Sequence, residues 1–179
     1  MERRFGLNGF WNKIKALLRP KEIIKDIHEI DFGELKAKGI RALIVDIDDT
    51  LIPRKVKEIN PEVFEWVAAR KEEGFRLCIV SNSRIHRVKY IGSALGLPTV
   101  SALFLGMKPL PFAFWKSLKI LNAKSEETAM IGDQLFMDIL GANLLNIYTI
   151  FVKHITEETF WFRKWMRKAE KWVLSKLKP

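Results

Sequence analysis

The sequence predicts an α/β fold: a mainly parallel sheet covered by helices on both faces. Three observations predict it. Through the middle of the chain, continuous apolar runs of strand length alternate with amphipathic stretches of helix length. Helix start and stop signals separate many of them. Polar clusters follow the strand runs, and open parallel sheets bind ligands beyond the carboxyl ends of their strands.

Each element can be justified in turn. RALIVDI (41–47) is the first strand, buried on both faces by its composition. A helix then starts at Pro61 behind the N-cap Asn60 and stops at Gly74. RLCIVSNS (76–83) is the second strand, followed by the helix IHRVKYIGSALG (85–96). SALFLG (101–106) is the third strand, leading to a helix over about residues 111–122. TAMIGD (128–133), the helix LFMDILGANLL (135–145) and the strand IYTIFV (147–152) complete the alternation. Four strand ends thus bring DIDDT, SNS, MKP and GDQ to one crevice.

The chain has 179 residues, room for one domain with a sizeable core. Its single cysteine, Cys78, lies in an apolar run, as a small core residue in a reducing compartment would. No apolar run approaches the ~20 residues needed to span a bilayer. Asn12, Lys13 and Lys15 interrupt the N-terminal stretch too often for a signal peptide. A cytoplasmic location is therefore expected. The net charge of +10 is unevenly distributed, with +5 in residues 1–25, +5 in residues 153–179 and none left between them. This divides the chain into a basic amphipathic N-terminal segment (1–25), a body (26–152) and a basic amphipathic C-terminal helix (153–179). Such a division bears on partner choice rather than on fold.

The chemistry concentrates in ALIVDIDDTLIP, residues 42–53. Asp46, Asp48 and Asp49 repel one another, and such crowding favours a cation nearby. On an extended segment Asp46 and Asp48 point to the same side. A phosphate monoester repels an attacking carboxylate, and Mg2+, which prefers a few carboxylates plus phosphate oxygens and water, removes that obstacle. Asp133, at another strand end, is placed to complete the coordination. Lys108, held by Pro109, adds a second positive charge, and Ser81 with Asn82 sits where a strand turns into a helix N-terminus, a natural anion cradle. Asp46 is the expected nucleophile, forming an aspartyl phosphate, and Asp48 the acid and then base.

DIDDT, SNS, the Lys108–Pro109 pair and GDQLFMD resemble, in order and placement, the four motifs of the haloacid dehalogenase (HAD) superfamily over roughly residues 40–152. The resemblance implies a Rossmann-like, HAD-type fold and the roles just given. It implies that Asp48 also offers its backbone carbonyl to Mg2+, with Asp138 and Thr50 in supporting positions. There is no room for a cap domain, so the site should be open, with Arg54, Lys55 and Lys57 in position to lean over the phosphate. GDQLFMDILGAN with YTIFV is further similar to the YqeG-type, phosphatidylglycerophosphatase-like branch. That branch implies removal of the phosphate from phosphatidylglycerophosphate. Its pattern carries Asn where Asp49 stands, Thr near Met137 and a basic residue near Leu144, so this chain departs from it at three positions outside the catalytic roles.

The ends supply separate observations. At ~100° per residue, Trp161, Phe162, Trp165, Met166, Ala169, Trp172, Val173 and Leu177 share one arc of a helix. Arg163, Lys164, Arg167, Lys168, Lys171 and Lys178 take the opposite arc. Leu7, Phe10, Trp11, Ile14, Leu17 and Leu18 form a similar face near the start of the chain. Aromatics opposite lysine and arginine suit a helix lying in a membrane interface. The expected partners are a phospholipid substrate and an anionic membrane surface, with the protein peripheral to the inner face of the membrane. No nucleotide cofactor is expected, and nothing in the pattern sets an oligomeric state. The competing readings are a phosphatase acting on a nucleic-acid end, disfavoured because the aromatics are segregated onto one face, and a catalytically silent scaffold. More simply, the terminal helices pack on the body or a second subunit, Asp49 shapes a turn, Asn143 is a structural hydrogen-bonding residue, and His28, His86 and His154 lie on the surface.

Overall fold

Apolar runs of four to six residues, each bounded by a turn, form the centre of a six-stranded sheet in which all paired neighbours run parallel. The computed structural model describes residues 4–54, 56, 58–103, 107–153 and 161–177, without the side chains of residues 4–8, 10 and 161–163. In chain order the elements are α1 (Arg4–Leu18), β1 (Glu22–Ile24), α2 (Phe32–Ala37), β2 (Ala42–Val45), α3 (Pro61–Glu72), β3 (Arg76–Ser81), α4 (Ile85–Leu95), β4 (Thr99–Ser101), α5 (Phe112–Leu121), β5 (Thr128–Gly132), α6 (Leu140–Asn143), β6 (Tyr148–Val152) and α7 (Trp161–Leu177). The spatial strand order is β1-β6-β5-β2-β3-β4.

Alternation along the strands sorts the core into two layers. Leu43, Val45, Leu77, Ile79, Ala129 and Ile131 face one side, where α2, α3 and α4 supply Leu35, Trp66 and Ile91. Ala42, Ile44, Cys78, Val80 and Met130 face the other, against Phe114 and Leu121 of α5 and Ala142 of α6. A smaller cluster joins Leu18 of α1 and Leu177 of α7 to Leu135, Ile139 and Phe151. Both terminal helices therefore rest part of one face on the body.

The boundaries differ from the sequence reading where local chemistry was silent. The third strand is Thr99–Ser101 rather than 101–106, paired to Ile79–Ser81, and Ala102 and Leu103 already turn. Residues 104–106 lie outside the described set. The helix read at 135–145 is a π turn over Leu135–Ile139 followed by the short α6. Strand β1, a 3-10 turn at Ile27–Glu29 and α2 were not foreseen. The sheet thus begins at Glu22, inside the stretch that charge alone set apart as the N-terminal end. Helix α3 does start as read, with Asn60 Oδ1 accepting from Glu62 N and Pro61 at the first turn. Gly74 follows its end at φ 87°, a conformation that favours glycine.

No element stands over the carboxyl end of the sheet among the described residues of the two segments where a cap would be inserted. The described residues of 46–60 hold only turns and one isolated bridge, Asp48 to Ile52, and α4 and β4 fill most of the span between Ser83 and Lys108. No helix of the described residues is long and apolar enough to cross a membrane.

Candidate active site

At the carboxyl ends of β2 and β5, three carboxylates gather: Asp46, Asp133 and Asp138 lie buried with one oxygen each within 4.8 Å of the others. Adjacent strands in register bring Asp46 and Asp133 together, since Val45 pairs with Ile131. The third arrives by the π turn. Asp138 N donates to Gln134 O at 2.8 Å, and Gln134 N returns a bond to Asp138 Oδ2 at 3.0 Å. The turn closed by these bonds aims Asp138 back at the strand end. Gly132 makes the approach possible, because a Cβ there would stand 2.5 Å from the Asp138 carboxylate.

Lys108, 1% exposed, runs into the middle of this group. Its Nζ donates to Asp46 Oδ1 and Asp138 Oδ1 at 2.6 Å each, and to Val80 O at 3.0 Å. Burial alone would lower the lysine pKa, but Asp138 and Asp46 outweigh it and hold it above the ordinary lysine value. Burial pushes the Asp46 carboxyl up to about 8, against the opposing Lys108 charge and with Asp138 and Asp133 adding to the rise. Burial likewise raises Asp138, Lys108 again opposing. Three acids meet one ammonium and, at Asp133, the guanidinium of Arg167, which still leaves the cluster short of positive charge. Asp46 Oδ2 is buried and takes no hydrogen bond from the described residues. Both Asp138 oxygens are engaged. A hard divalent cation fits this oxygen-rich, charge-deficient site, with Asp46 and Asp133 the carboxylates best placed to hold it.

Asp48 lies elsewhere. The sequence reading paired it with Asp46 on one side of an extended segment, but β2 ends at Val45, and strand alternation lapses with it. The Asp48 carboxylate accepts from Ser83 Oγ and from Arg87 Nε at 3.0 Å, with Arg54 Nη2 3.7 Å away. Its side chain is not in the carboxylate cluster. Asp49 has φ 64°, tolerated by Asp and Asn, and its Oδ1 accepts from Arg54 N at 3.1 Å, closing the turn. The same backbone conformation would suit the Asn of the related branch.

The other expected residues are distributed as follows. Ser81 is buried, its Oγ accepting from Ser83 N at 3.2 Å. Asn82, read as a phosphate ligand, instead clamps the Lys108 loop: Oδ1 accepts from Lys108 N at 2.9 Å and Nδ2 donates to Lys108 O at 3.3 Å. Thr50 is buried at the end of the first motif, and its Oγ1 makes no hydrogen bond to the described residues. Lys55 and Lys57 fall outside the described residues. Asn143, by contrast, is structural: its Nδ2 donates to Leu17 O at 2.7 Å and Arg19 O at 3.1 Å, strapping the end of α1 to the body.

Two arginines escaped the sequence reading in these roles. Arg87 sits in the first turn of α4, where a cation opposes the helix dipole, a signal that something anionic lies in front. Arg167 belongs to the basic arc opposite the apolar face of the last helix, yet it turns toward the body. Nη1 donates to the Asp133 backbone carbonyl at 2.5 Å and to Glu170 Oε2 at 3.0 Å, while Nη2 donates to the Asp133 carboxylate. Burial works against the Arg167 charge, but Asp133 and Glu170 prevail and raise its pKa. Burial raises Glu170, and Arg167 opposes that rise.

Comparison with known proteins agrees with this arrangement. Residues 27–146 match the haloacid dehalogenase-like hydrolase family. The chain is 32% identical over 165 residues, 92% of its length and 94% of the relative's, to "Probable phosphatase YqeG" of Bacillus subtilis (strain 168). It is 26% identical over 164 residues, 82% of its own length and 86% of the relative's, to the mitochondrial phosphatidylglycerophosphatase GEP4 of Saccharomyces cerevisiae. Among solved structures, the cobalt-bound deoxy-D-mannose-octulosonate 8-phosphate phosphatase YrbI of Haemophilus influenzae superposes with a TM-score of 0.51 at 14% identity, covering 78% of this chain and 90% of that one. That likeness concerns the fold. The motif residues, the parallel sheet and these relatives agree: the chain belongs to the haloacid dehalogenase-like hydrolases, as a phosphatase of the YqeG-type branch.

Proposed function

We propose that the protein is a Mg2+-dependent phosphomonoester hydrolase that acts through an aspartyl phosphate on Asp46, its substrate being phosphatidylglycerophosphate at a membrane surface. The observation that carries the chemistry is Asp46 itself. One oxygen is held by Lys108 at 2.6 Å, and the other is buried and takes no bond from the described residues. A carboxylate so held has one oxygen fixed and one available for attack on phosphorus.

Asp46, Asp133 and the backbone carbonyl of Asp48 would hold Mg2+, whose charge offsets that of the phosphate and favours ionised Asp46. Lys108 keeps Asp46 oriented and adds positive charge beside the transferred group. Ser81, at the end of β3, borders the same crevice. Asp48 serves as the acid toward the leaving oxygen and as the base toward water, with Arg87 and Ser83 orienting its carboxylate.

The lipid substrate is supported by the phosphatidylglycerophosphatase activity of the yeast relative and by exposed apolar residues that follow and precede Lys108. Met107, Leu110, Phe112 and Trp115 flank Lys108 in sequence, and all are about half exposed. Exposed apolar side chains close in sequence to Lys108 suit a headgroup presented by a bilayer. The test is phosphate release from phosphatidylglycerophosphate in mixed micelles with Mg2+, alongside a soluble chromogenic ester and an Asp46→Asn variant. Turnover of the lipid, lost in the variant, is expected. Cleavage of the soluble ester alone removes the lipid from the proposal. Full activity in Asp46→Asn removes the nucleophile.

A further inference from the structure

Helix α7 presents two unlike faces. At ~100° per residue, Arg167, Glu170, Leu174 and Leu177 form one stripe, with Val173 at its edge. That stripe meets the body: Leu177 is buried, Val173 and Leu174 pack on Leu135, Ile139 and Phe151, and Glu170 Oε1 accepts from Phe136 N at 3.4 Å. Arg19 Nη2 donates to Leu177 O at 2.7 Å at the far end. Roughly 150° around the helix lie Trp165 and Trp172, 65% and 64% exposed. Lys164, Lys168, Lys171 and Lys176 are exposed beside them.

The inner face does something a merely packed helix need not do. Arg167 engages both the carboxylate and the backbone carbonyl of Asp133, the residue best placed with Asp46 to hold a divalent ion. Glu170, buried on the same helix, holds the guanidinium at 3.0 Å. A guanidinium and a divalent cation on one buried carboxylate repel each other strongly.

We propose that α7 is a latch in which Arg167 and the divalent cation compete for Asp133, and that an anionic lipid bilayer releases it. The bilayer favours the released helix for a stated reason. Docked, α7 offers the bilayer Trp165, Trp172 and four lysines. Released, it also offers Val173, Leu174 and Leu177, which together with the tryptophans give a broader apolar surface for the interface. Linkage then requires that vesicles raise cation affinity and that the cation raise vesicle affinity by the same factor. This inference rests on the reading of the site as divalent-dependent.

The test uses the full chain and needs no turnover. Amide hydrogen exchange of residues 161–177 is followed with and without Mg2+, and with and without vesicles of phosphatidylglycerol and phosphatidylcholine. Mg2+ binding is measured by calorimetry under the same conditions. Expected are several-fold faster exchange in α7 on adding Mg2+ alone, and about tenfold tighter Mg2+ binding with anionic vesicles but not with pure phosphatidylcholine. Arg167→Gln should bind Mg2+ about tenfold more tightly without vesicles and lose most of the vesicle effect. Should that variant fold poorly, the exchange of the unmodified chain decides alone. Mg2+ binding with unchanged or slower exchange in α7 overturns the latch and leaves the phosphatase reading standing. No detectable Mg2+ binding, in chain or variant, overturns both. Unchanged Mg2+ affinity with anionic vesicles overturns release by the bilayer.

Discussion

Gly132→Ala tests how Asp138 reaches the site. Gly132 lies at the end of β5 without a positive φ, so alanine brings no torsional penalty there. Its Cβ, however, would stand 2.5 Å from Asp138 Cγ and Oδ2 and 2.7 Å from Asp138 Cβ. Ordinary contact begins near 3.4 Å, so about 0.9 Å of movement is required. Asp138 is poorly placed to supply it, with Oδ1 bound to Lys108 Nζ at 2.6 Å and Oδ2 to Gln134 N at 3.0 Å. Overpacking of this kind costs about 1–3 kcal/mol, and parting a buried ion pair about 3–5 kcal/mol. A loss of roughly 2–5 kcal/mol is therefore expected, lowering Tm by roughly 5–15 °C for a chain of this size. Thermal unfolding followed by circular dichroism measures it, and phosphate release should fall in parallel. A Tm within about 2 °C of the parent, with activity intact, would refute the claim that Gly132 exists to admit Asp138.

Three further outcomes are expected. Asn82→Ala should lower kcat about tenfold on a soluble ester with KM little changed, since it frees the backbone that carries Lys108; a rise in KM alone would restore Asn82 as a phosphate ligand. Asn143→Ala should speed amide exchange across α1 and cost about 1–3 kcal/mol, because two carbonyls lose their donor; unchanged exchange in residues 4–18 would show that the strap does not hold the helix. Burial pushes the Cys78 thiol up to about 11, so at pH 8 roughly a thousandth is thiolate, and raising the pH toward 11 increases that share. Iodoacetamide should therefore leave the native chain unmodified at pH 8 and label it only after unfolding; labelling at the rate of free cysteine contradicts the burial of this side chain.

Strands β2, β3, β5 and β6 were legible because each carries a continuous apolar run, which a doubly covered sheet demands. The polar tail of each run marked where the site would form. Strand β1 was invisible for the converse reason: three residues, EII, between Lys21 and Lys25 carry no periodicity long enough to register. The third strand was displaced because SALFLG is apolar, whereas pairing is set by the main chain, beginning where Ile79 N donates to Pro98 O. Within the site, Asp46 and Asp133 could be placed from strand ends alone, whereas Lys108 stands in a loop well beyond the end of β4 at Ser101. Asp48 could not, because its partners Ser83 and Arg87 come from another loop and helix. Arg167 lies 34 residues from Asp133, on a helix whose wheel gave no sign of what its inner face would meet. Amphipathicity reports that a helix has two sides; it does not report which side finds a neighbour.

The sheet closes at both margins on strands of three residues, β1 and β4. Lysines 21 and 25 bracket the first, and Pro98 precedes the second. Margins this brief, guarded by charge and proline, give a second polypeptide little main chain to zip onto. Growth of the sheet from molecule to molecule is thereby discouraged, even at high local concentration on a surface.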